Sequence, residues 1–126
     1  MQTDPDVPLE DNEILRRLAA LPGGWTLEGD AIARAYPTTG WKASLMLVNA
    51  IGFLCETAWH HPDITLSWGR VRVSLSTHSA GGVTARDLEL AERIEALATW
   101  TPQGGALEGV PPGSSHAILE EPPEAS

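Results

Sequence analysis

Apolar residues recur at the helical spacing of three and four residues in three segments of the chain. These segments cover residues 9–21, 41–59 and 84–101, and each ends at or shortly before a proline. The pattern predicts three helices. The middle one is apolar around most of its circumference, so it must be covered on more than one side. We expect its own sheet to supply one cover and a second copy of the chain to supply the other.

Between these segments, apolar and polar residues alternate with the period of two that half-buried strands show. Two short runs flank Gly29-Asp30, a two-residue turn that favours a β-hairpin. Two further runs, residues 63–68 and 70–77, are separated by Gly69. The element order is therefore α-β-β-α-β-β-α. It predicts an α+β fold with an antiparallel sheet and helices packed on one face.

Composition divides the 126 residues into three parts. Residues 1–8 are acidic and contain prolines, which predicts a disordered lead. Residues 101–126 are rich in Pro, Gly, Ser and Glu, which predicts a disordered acidic tail. Residues 9–100 are then one predicted domain with a small hydrophobic core.

The net charge of the chain argues against polyanionic partners. The chain has 17 acidic and 8 basic residues, a formal net charge of −9, and no basic run. Such a surface repels phosphate backbones, so we expect neither nucleic acid nor an anionic membrane as a partner. The N-terminus lacks the basic and apolar regions of a signal peptide. The lone Cys55 cannot form an internal disulfide, which fits a reducing compartment, so we expect a cytoplasmic protein.

Three of the four histidines are expected at the same end of the sheet. His60 and His61 lie where the second helix turns into a strand, and His78 follows the next strand. Because antiparallel neighbours place the start of one strand beside the end of the other, His78 should lie near His60 and His61. Glu56 lies one helical turn before His60 and can share its face. Both adjacent histidines reach one pocket only if the chain bends there, and Pro62 favours such a bend.

Each candidate also has a purely structural interpretation. A single histidine at a strand end is often a surface residue. Glu56 could merely accept a hydrogen bond from His60, and Pro62 could simply stop the helix. Trp68 could belong to the core, and Asp87 could only cap the last helix as the fourth residue of a capping box. A zinc site formed by Glu56 and the histidines is a further alternative. The chain lacks an HExxH motif and paired cysteines, however, so we expect no metal.

One string of residues resembles a known family. Glu56-x-x-x-His60-His61-Pro62, followed after five residues by Trp68, resembles the signature of the pterin-4a-carbinolamine dehydratases. The resemblance covers about residues 9–100 and continues through three further segments: Thr77-His78, Gly81-Gly82-Val83-Thr84 and Asp87-x-x-Leu90-Ala91. It implies a four-stranded antiparallel sheet with helices packed on one face, and a homodimer or homotetramer.

The resemblance also implies a reaction and a site. The substrate would be 4a-hydroxytetrahydropterin, which loses water to give the quinonoid dihydropterin, with no cofactor or metal. Histidine suits acid–base catalysis of this step because its ordinary pKa of about 6.5 lies near working pH. One histidine would act as acid and another as base. The implied catalytic residues are His60, His61 and His78, and the implied binding or orienting residues are Glu56, Pro62, Trp68 and Asp87.

The sequence departs from the family pattern beside this predicted site. Trp59 stands where the family often has Asn, Ser79 where an acidic residue often follows, and Gly40-Trp41 where the second helix often opens with Asp-Phe. These departures leave a second function open: a non-catalytic, dehydratase-like protein that assists Rubisco assembly in carboxysome-forming bacteria, with Rubisco subunits as partners. Binding and turnover of a pterin would distinguish the two functions.

Overall fold

The chain is described from a computed structural model over residues 4–102, 104–107 and 117–120. The predicted element order α-β-β-α-β-β-α is confirmed, with a short 3-10 helix, His78–Ala80, before the last helix. The helices and strands are α1 Asp11–Ala20, β1 Thr26–Glu28, β2 Ala31–Pro37, α2 Trp41–Ala58, β3 Asp63–Ser67, β4 Arg70–Leu75 and α3 Ala85–Thr99.

The four strands form one antiparallel sheet in the order β1-β2-β4-β3. Ile32 pairs with Leu75, and Ile64 pairs with Val73, so apolar residues of neighbouring strands share one face. That face carries the core, because Ile32, Val73 and Leu75 are fully buried beneath the helices. The α+β fold with helices on one face of the sheet is therefore confirmed. In the part of the chain that the structure describes, no helix is long and apolar enough to cross a bilayer.

The helix α2 ends within one residue of the predicted residue 59, but Pro62 does not form its end. Pro62 was expected to stop this helix, but α2 ends at Ala58 and Trp59 takes the left-handed conformation, with φ 54° and ψ 46°. The Trp59 N–H donates to the carbonyls of Cys55 and Glu56, which closes the last turn. The chain therefore bends at Trp59. His60 and His61 follow this bend, so neither continues the direction of the helix.

One side of α2 faces away from the sheet and carries large apolar side chains. Phe53 is 77% exposed, and Trp41, Leu45 and Met46 are about half exposed. Asn49 and Gly52 are also exposed on this helix. A single chain thus covers one face of α2 and leaves the other open, as its all-round apolar pattern predicts.

Both predicted disordered segments include residues with defined contacts. In the lead, Asp6 forms an ion pair with Arg86 of α3. In the tail, residues 117–120 lie against the β2–α2 connection, where the Thr39 N–H donates to the Ile118 carbonyl and Glu120 donates to Pro37. Residues 1–3, 103, 108–116 and 121–126, which include His116, lie outside the described residues, so the remaining domain boundaries stay a prediction.

A buried acidic residue joins α3 to the sheet. The Glu95 carboxylate accepts hydrogen bonds from Trp25 Nε1 at 2.9 Å and from the Tyr36 hydroxyl at 2.7 Å. Arg34 Nε donates to the same carboxylate at 3.2 Å, and its guanidinium lies 4.1 Å from the centre of the Tyr36 ring. Glu95 is therefore paired with a cation and well satisfied, as a buried charge must be.

Candidate functional site

Asp87 is a fully buried carboxylate at the start of α3. Its Oδ2 accepts the Thr84 N–H at 2.9 Å, which completes the predicted capping box. Oδ2 also accepts the Thr77 hydroxyl at 2.7 Å. Because Thr77 gives its only proton to Asp87, the Thr84 hydroxyl must donate to Thr77 across their 2.8 Å contact. Capping is therefore part of the role of Asp87. The bonds to Oδ2 fix the whole carboxylate, so its other oxygen, Oδ1, is also held in place.

His60 contacts the Oδ1 atom of Asp87. Its Nε2 lies 2.6 Å from Asp87 Oδ1, and the ring is mostly buried. A carboxylate has only acceptors, so the proton of this bond resides on Nε2, which donates it. The other ring nitrogen, Nδ1, is then the one left to exchange a proton with a ligand. A ring fixed in one tautomer by a buried carboxylate is the arrangement that general acid–base catalysis uses.

His61 belongs to a separate and more open group. Its Nε2 donates to Glu56 Oε1 at 2.8 Å, and both side chains are at least half exposed. The Trp59 ring meets the His61 ring edge-on, with centroids 4.9 Å apart. Glu56 was considered as a partner of His60, but it pairs with His61 because the bend at Trp59 turns His60 toward α3. Glu56 therefore pairs with His61, and its orienting role stays a prediction.

His78 lies at the same end of the sheet, as predicted. Asp63, two residues after His61, pairs with Ser74, four residues before His78. His78 directly follows Thr77, whose hydroxyl donates to Asp87, and the His78 side chain is exposed. Within the described residues, its ring makes no hydrogen bond or ion pair. The three histidines thus share one end of the fold but have different partners, and their convergence on one ligand stays a prediction.

Two further predicted residues lie on either side of β3. Pro62 precedes the strand and is partly buried, directly after the histidine pair. Trp68 follows the strand, 69% exposed, with its carbonyl accepting a hydrogen bond from Ser44. It is therefore not a core residue of the single chain. The five residues of β3 separate it from the histidines by about 17 Å. Its part in binding stays a prediction.

A cavity of about 640 Å³ opens beside His60. The three helices meet around it, with Leu54 and Ala58 from α2 and Leu90 from α3 as apolar lining. Of the three candidate histidines, all of which are described, only His60 lines it. The volume lies within the range typical of small-molecule sites, roughly 300–1,000 Å³. The remaining lining residues are Pro5, Arg17, Thr57, Ala85, Arg86, Glu89 and Arg93.

The zinc alternative depends on one cluster of ligands. Across residues 4–102, 104–107 and 117–120, no group of three or more His, Cys, Asp or Glu side chains is arranged to hold a metal ion. Glu56 and His60 would both be ligands in that zinc site, but Glu56 pairs with His61 and His60 pairs with Asp87.

The model of the family "Pterin 4 alpha carbinolamine dehydratase" matches residues 7–97, a segment that contains all the candidate site residues and all the residues lining the cavity except Pro5. The chain belongs to the pterin-4a-carbinolamine dehydratase family. The family is one of hydro-lyases, and its match spans α1 to α3.

Relatives and solved structures agree with this family. A protein of Aquifex aeolicus (strain VF5) assigned as a pterin-4-alpha-carbinolamine dehydratase is 44% identical over 89 residues, which cover 71% of this chain and 89% of that relative. The crystal structure of a transcriptional coactivator/pterin dehydratase from Brucella melitensis has a TM-score of 0.66 and 30% identity, and covers 71% of this chain and 97% of that one.

A second solved structure is more distant. It is a pterin dehydratase-like protein identified as a RuBisCO assembly factor in the alpha-carboxysome. It has a TM-score of 0.50 and 17% identity, and covers 60% of this chain and 88% of that one. At this identity the likeness concerns the fold alone.

Some residues of the site were not found from the sequence. Thr77 and Thr84 were noted as part of a motif and as a cap, but not as the pair that fixes Asp87. The lining of the cavity was missed because it comes from three helices far apart in sequence. Glu95 carried a usable signal: it falls on the apolar stripe of α3, between Ala91 and Ala98, where an acidic residue must find buried partners.

Proposed function

We propose that this chain dehydrates a 4a-hydroxytetrahydropterin to the quinonoid dihydropterin by histidine acid–base catalysis. The observation that carries the proposal is the His60–Asp87 pair at the edge of the 640 Å³ cavity. The 44% identity to the Aquifex aeolicus relative supports the same activity.

The reaction requires two proton transfers. Hydroxide is a poor leaving group, so an acid must protonate the oxygen on C4a before the C–O bond breaks and water leaves. A base must remove the proton from N5, and the freed electron pair forms the new C=N bond. The two transfers balance, and no electron is gained or lost. Acid–base assistance of this kind contributes roughly 10²–10⁴-fold in rate.

His60 takes one of these two roles. Asp87 holds the proton on Nε2, so Nδ1 is left to accept or donate a proton on the pterin. His61 or His78 takes the other role, and the remaining histidine holds a polar edge of the pterin. Glu56 orients His61 in the way that Asp87 orients His60, through a hydrogen bond to Nε2. Pro62 limits the backbone freedom of the histidine pair.

We also propose that the chain acts in the cytoplasm as a homodimer or homotetramer. The exposed apolar side chains of α2, Phe53 above all, support an oligomer because their burial against another copy would remove them from water.

The direct experiment is a stopped-flow assay of carbinolamine dehydration. The wild type should accelerate the reaction over the uncatalysed rate, and His61→Ala and His78→Ala should each slow it at least about tenfold. His116→Ala is the matched control, since it removes a histidine outside the predicted domain, and it should retain the wild-type rate. A wild-type protein without any acceleration would contradict the proposal.

The same preparation tests the assembly-factor alternative. A chain that neither binds a dihydropterin nor accelerates dehydration, and that co-purifies with Rubisco subunits, would have that second function instead.

A further inference from the structure

The cavity beside His60 has a local charge opposite to that of the whole chain. Arg17, Arg86 and Arg93 line it, and they are three of only eight Lys and Arg residues in a chain of net charge −9. Glu89 is the one acidic residue among its described lining residues. With three arginines and one glutamate, the described lining is cationic in a chain that is acidic as a whole.

The arginines converge from two helices. Arg86 and Arg93 lie two turns apart on one face of α3, and Arg17 reaches the same space from α1. The apolar lining from Leu54 and Leu90 lies with them around the cavity. The lining therefore combines apolar side chains, against which a flat ring could pack, with cationic ones.

Within the part of the chain that the structure describes, two of the three guanidinium groups have no hydrogen-bond or ion-pair partner. Arg86 is partly engaged by Asp6 at 3.1 Å. Among the described residues, Arg17 and Arg93 form no ion pair and no hydrogen bond. Arg17 contributes only at longer range, where it helps its neighbour Arg16 to lower the pKa of Glu13. Planar guanidinium groups with unused donors match the oxygens of a phosphate.

We propose that this cavity binds a phosphate group on the side chain of the pterin, so that the chain prefers phosphorylated over uncharged pterins. The inference rests on the proposed function, since it places the ring at His60 and the phosphate between Arg17 and Arg93. The cavity is large enough for both parts of such a ligand. A phosphomonoester carries close to two negative charges at neutral pH, which two or three arginines complement.

The experiment compares two probes that differ only in the phosphate: 7,8-dihydroneopterin and 7,8-dihydroneopterin 3′-phosphate. Titration calorimetry at low ionic strength measures the dissociation constant of each for the full chain. The wild type should bind the phosphorylated pterin at least about tenfold more tightly. Added salt should reduce that preference, because the arginines are partly exposed.

The test variant is the double substitution Arg17→Gln/Arg93→Gln, and the matched control is Arg16→Gln/Arg70→Gln. Both remove two positive charges from the surface, but Arg16 and Arg70 lie outside the cavity. In the test variant the ratio of the two dissociation constants should fall close to one, which is a loss of the preference for the phosphate. The control should keep the preference.

Equal affinities of the wild type for the two pterins would overturn the phosphate site and leave the proposed function standing. A preference that survives in the test variant, or that falls equally in the control, would also overturn it. Failure of both pterins to bind would contradict the proposed function, and this inference with it.

Discussion

The Nε2 atom of His60 lies 2.6 Å from the Oδ1 atom of Asp87, a fully buried carboxylate whose other oxygen caps α3. This bond connects the segment just after α2 to the first turn of α3. Because Thr77 and the Thr84 N–H hold Oδ2, Asp87 cannot rotate without breaking the helix cap. His60 is therefore held by a rigid partner, whereas His61 is held by the exposed Glu56.

Trp59 should make the fold less stable than asparagine would at the same position. Its left-handed backbone, with φ 54°, is disfavoured for a bulky side chain and tolerated by Asn. We expect Trp59→Asn to raise the free energy of unfolding by up to about 1 kcal/mol in urea denaturation. Trp100→Asn is the control, because Trp100 also ends a helix and is exposed, but with φ −63°. A gain of the same size in both variants would contradict the backbone explanation.

Glu95 should be essential for stability. Glu95→Ala leaves the Trp25 N–H, the Tyr36 hydroxyl and the Arg34 guanidinium without their shared acceptor in a buried place. Removal of one partner of a buried pair costs about 3–5 kcal/mol. Equilibrium denaturation should show a loss of this size. Glu92→Ala, an exposed position on the same helix, should change stability by less than about 0.5 kcal/mol. A loss below about 1 kcal/mol for Glu95→Ala would contradict the role of this network.

Gly23 and Gly24 provide a matched pair for the space around Glu95. Both have positive φ, 103° and 77°, so alanine strains the backbone at each. A Cβ at Gly23 would in addition overlap the Glu95 carboxylate, whereas one at Gly24 meets nothing within 4 Å. Because Trp25 and Tyr36 hold that carboxylate, it cannot move aside. Gly23→Ala should therefore lower the melting temperature clearly more than Gly24→Ala, and equal shifts would argue against a fixed carboxylate.

Tyr36 should make the fold sensitive to alkali. Burial and the hydrogen bond to Glu95 raise the pKa of Tyr36 above its ordinary value of 10.0. The unfolded chain therefore releases this proton near pH 10 while the folded chain keeps it. Tyr36 alone should therefore lower the free energy of unfolding above that pH by about 1.4 kcal/mol per pH unit.

Tyr36→Phe should reduce this alkaline slope. Burial also raises the pKa of Cys55, from 9.0 to about 11, so a slope of the same sign from this thiol should remain in the variant between these two pH values. Denaturation curves measured between about pH 8 and 11.5 give both slopes. Identical slopes in wild type and Tyr36→Phe would show that Tyr36 ionises equally in both states.

The sequence predicts the elements well because each has a clear period. The alternation around Val71 and Val73 gives β4, and Gly29-Asp30 gives the hairpin, since both signals are local. The left-handed conformation of Trp59 at the end of α2 could not be predicted in the same way. Trp59 adopts a backbone conformation that its residue type disfavours, and only tertiary contacts can select it.

For the candidate site, the sequence indicated the individual residues more readily than their hydrogen-bond partners. The capping spacing gave Asp87, and the helix–strand junction gave His60 and His61. The partner of each histidine depends on the direction in which the chain leaves α2, so Glu56 was considered for His60 instead of His61. The arginine cavity depends on how α1 and α3 pack together, which no local pattern encodes.

The central claim is that Asp87 acts on the reaction through His60. Asn at position 87 keeps the shape of the side chain and can still accept the capping hydrogen bonds, but it places an amide where His60 needs an acceptor. His60→Gln should lower kcat by about 10²-fold, and Asp87→Asn by at least about tenfold. If Asp87 works through His60, the double variant should be no slower than His60→Gln alone.

A stopped-flow measurement of kcat for 4a-hydroxytetrahydropterin dehydration by these three variants and the wild type tests that claim most directly. We predict that the effect of Asp87→Asn disappears in the His60→Gln background. A wild-type kcat in Asp87→Asn, or two effects that multiply in the double variant, would contradict the account.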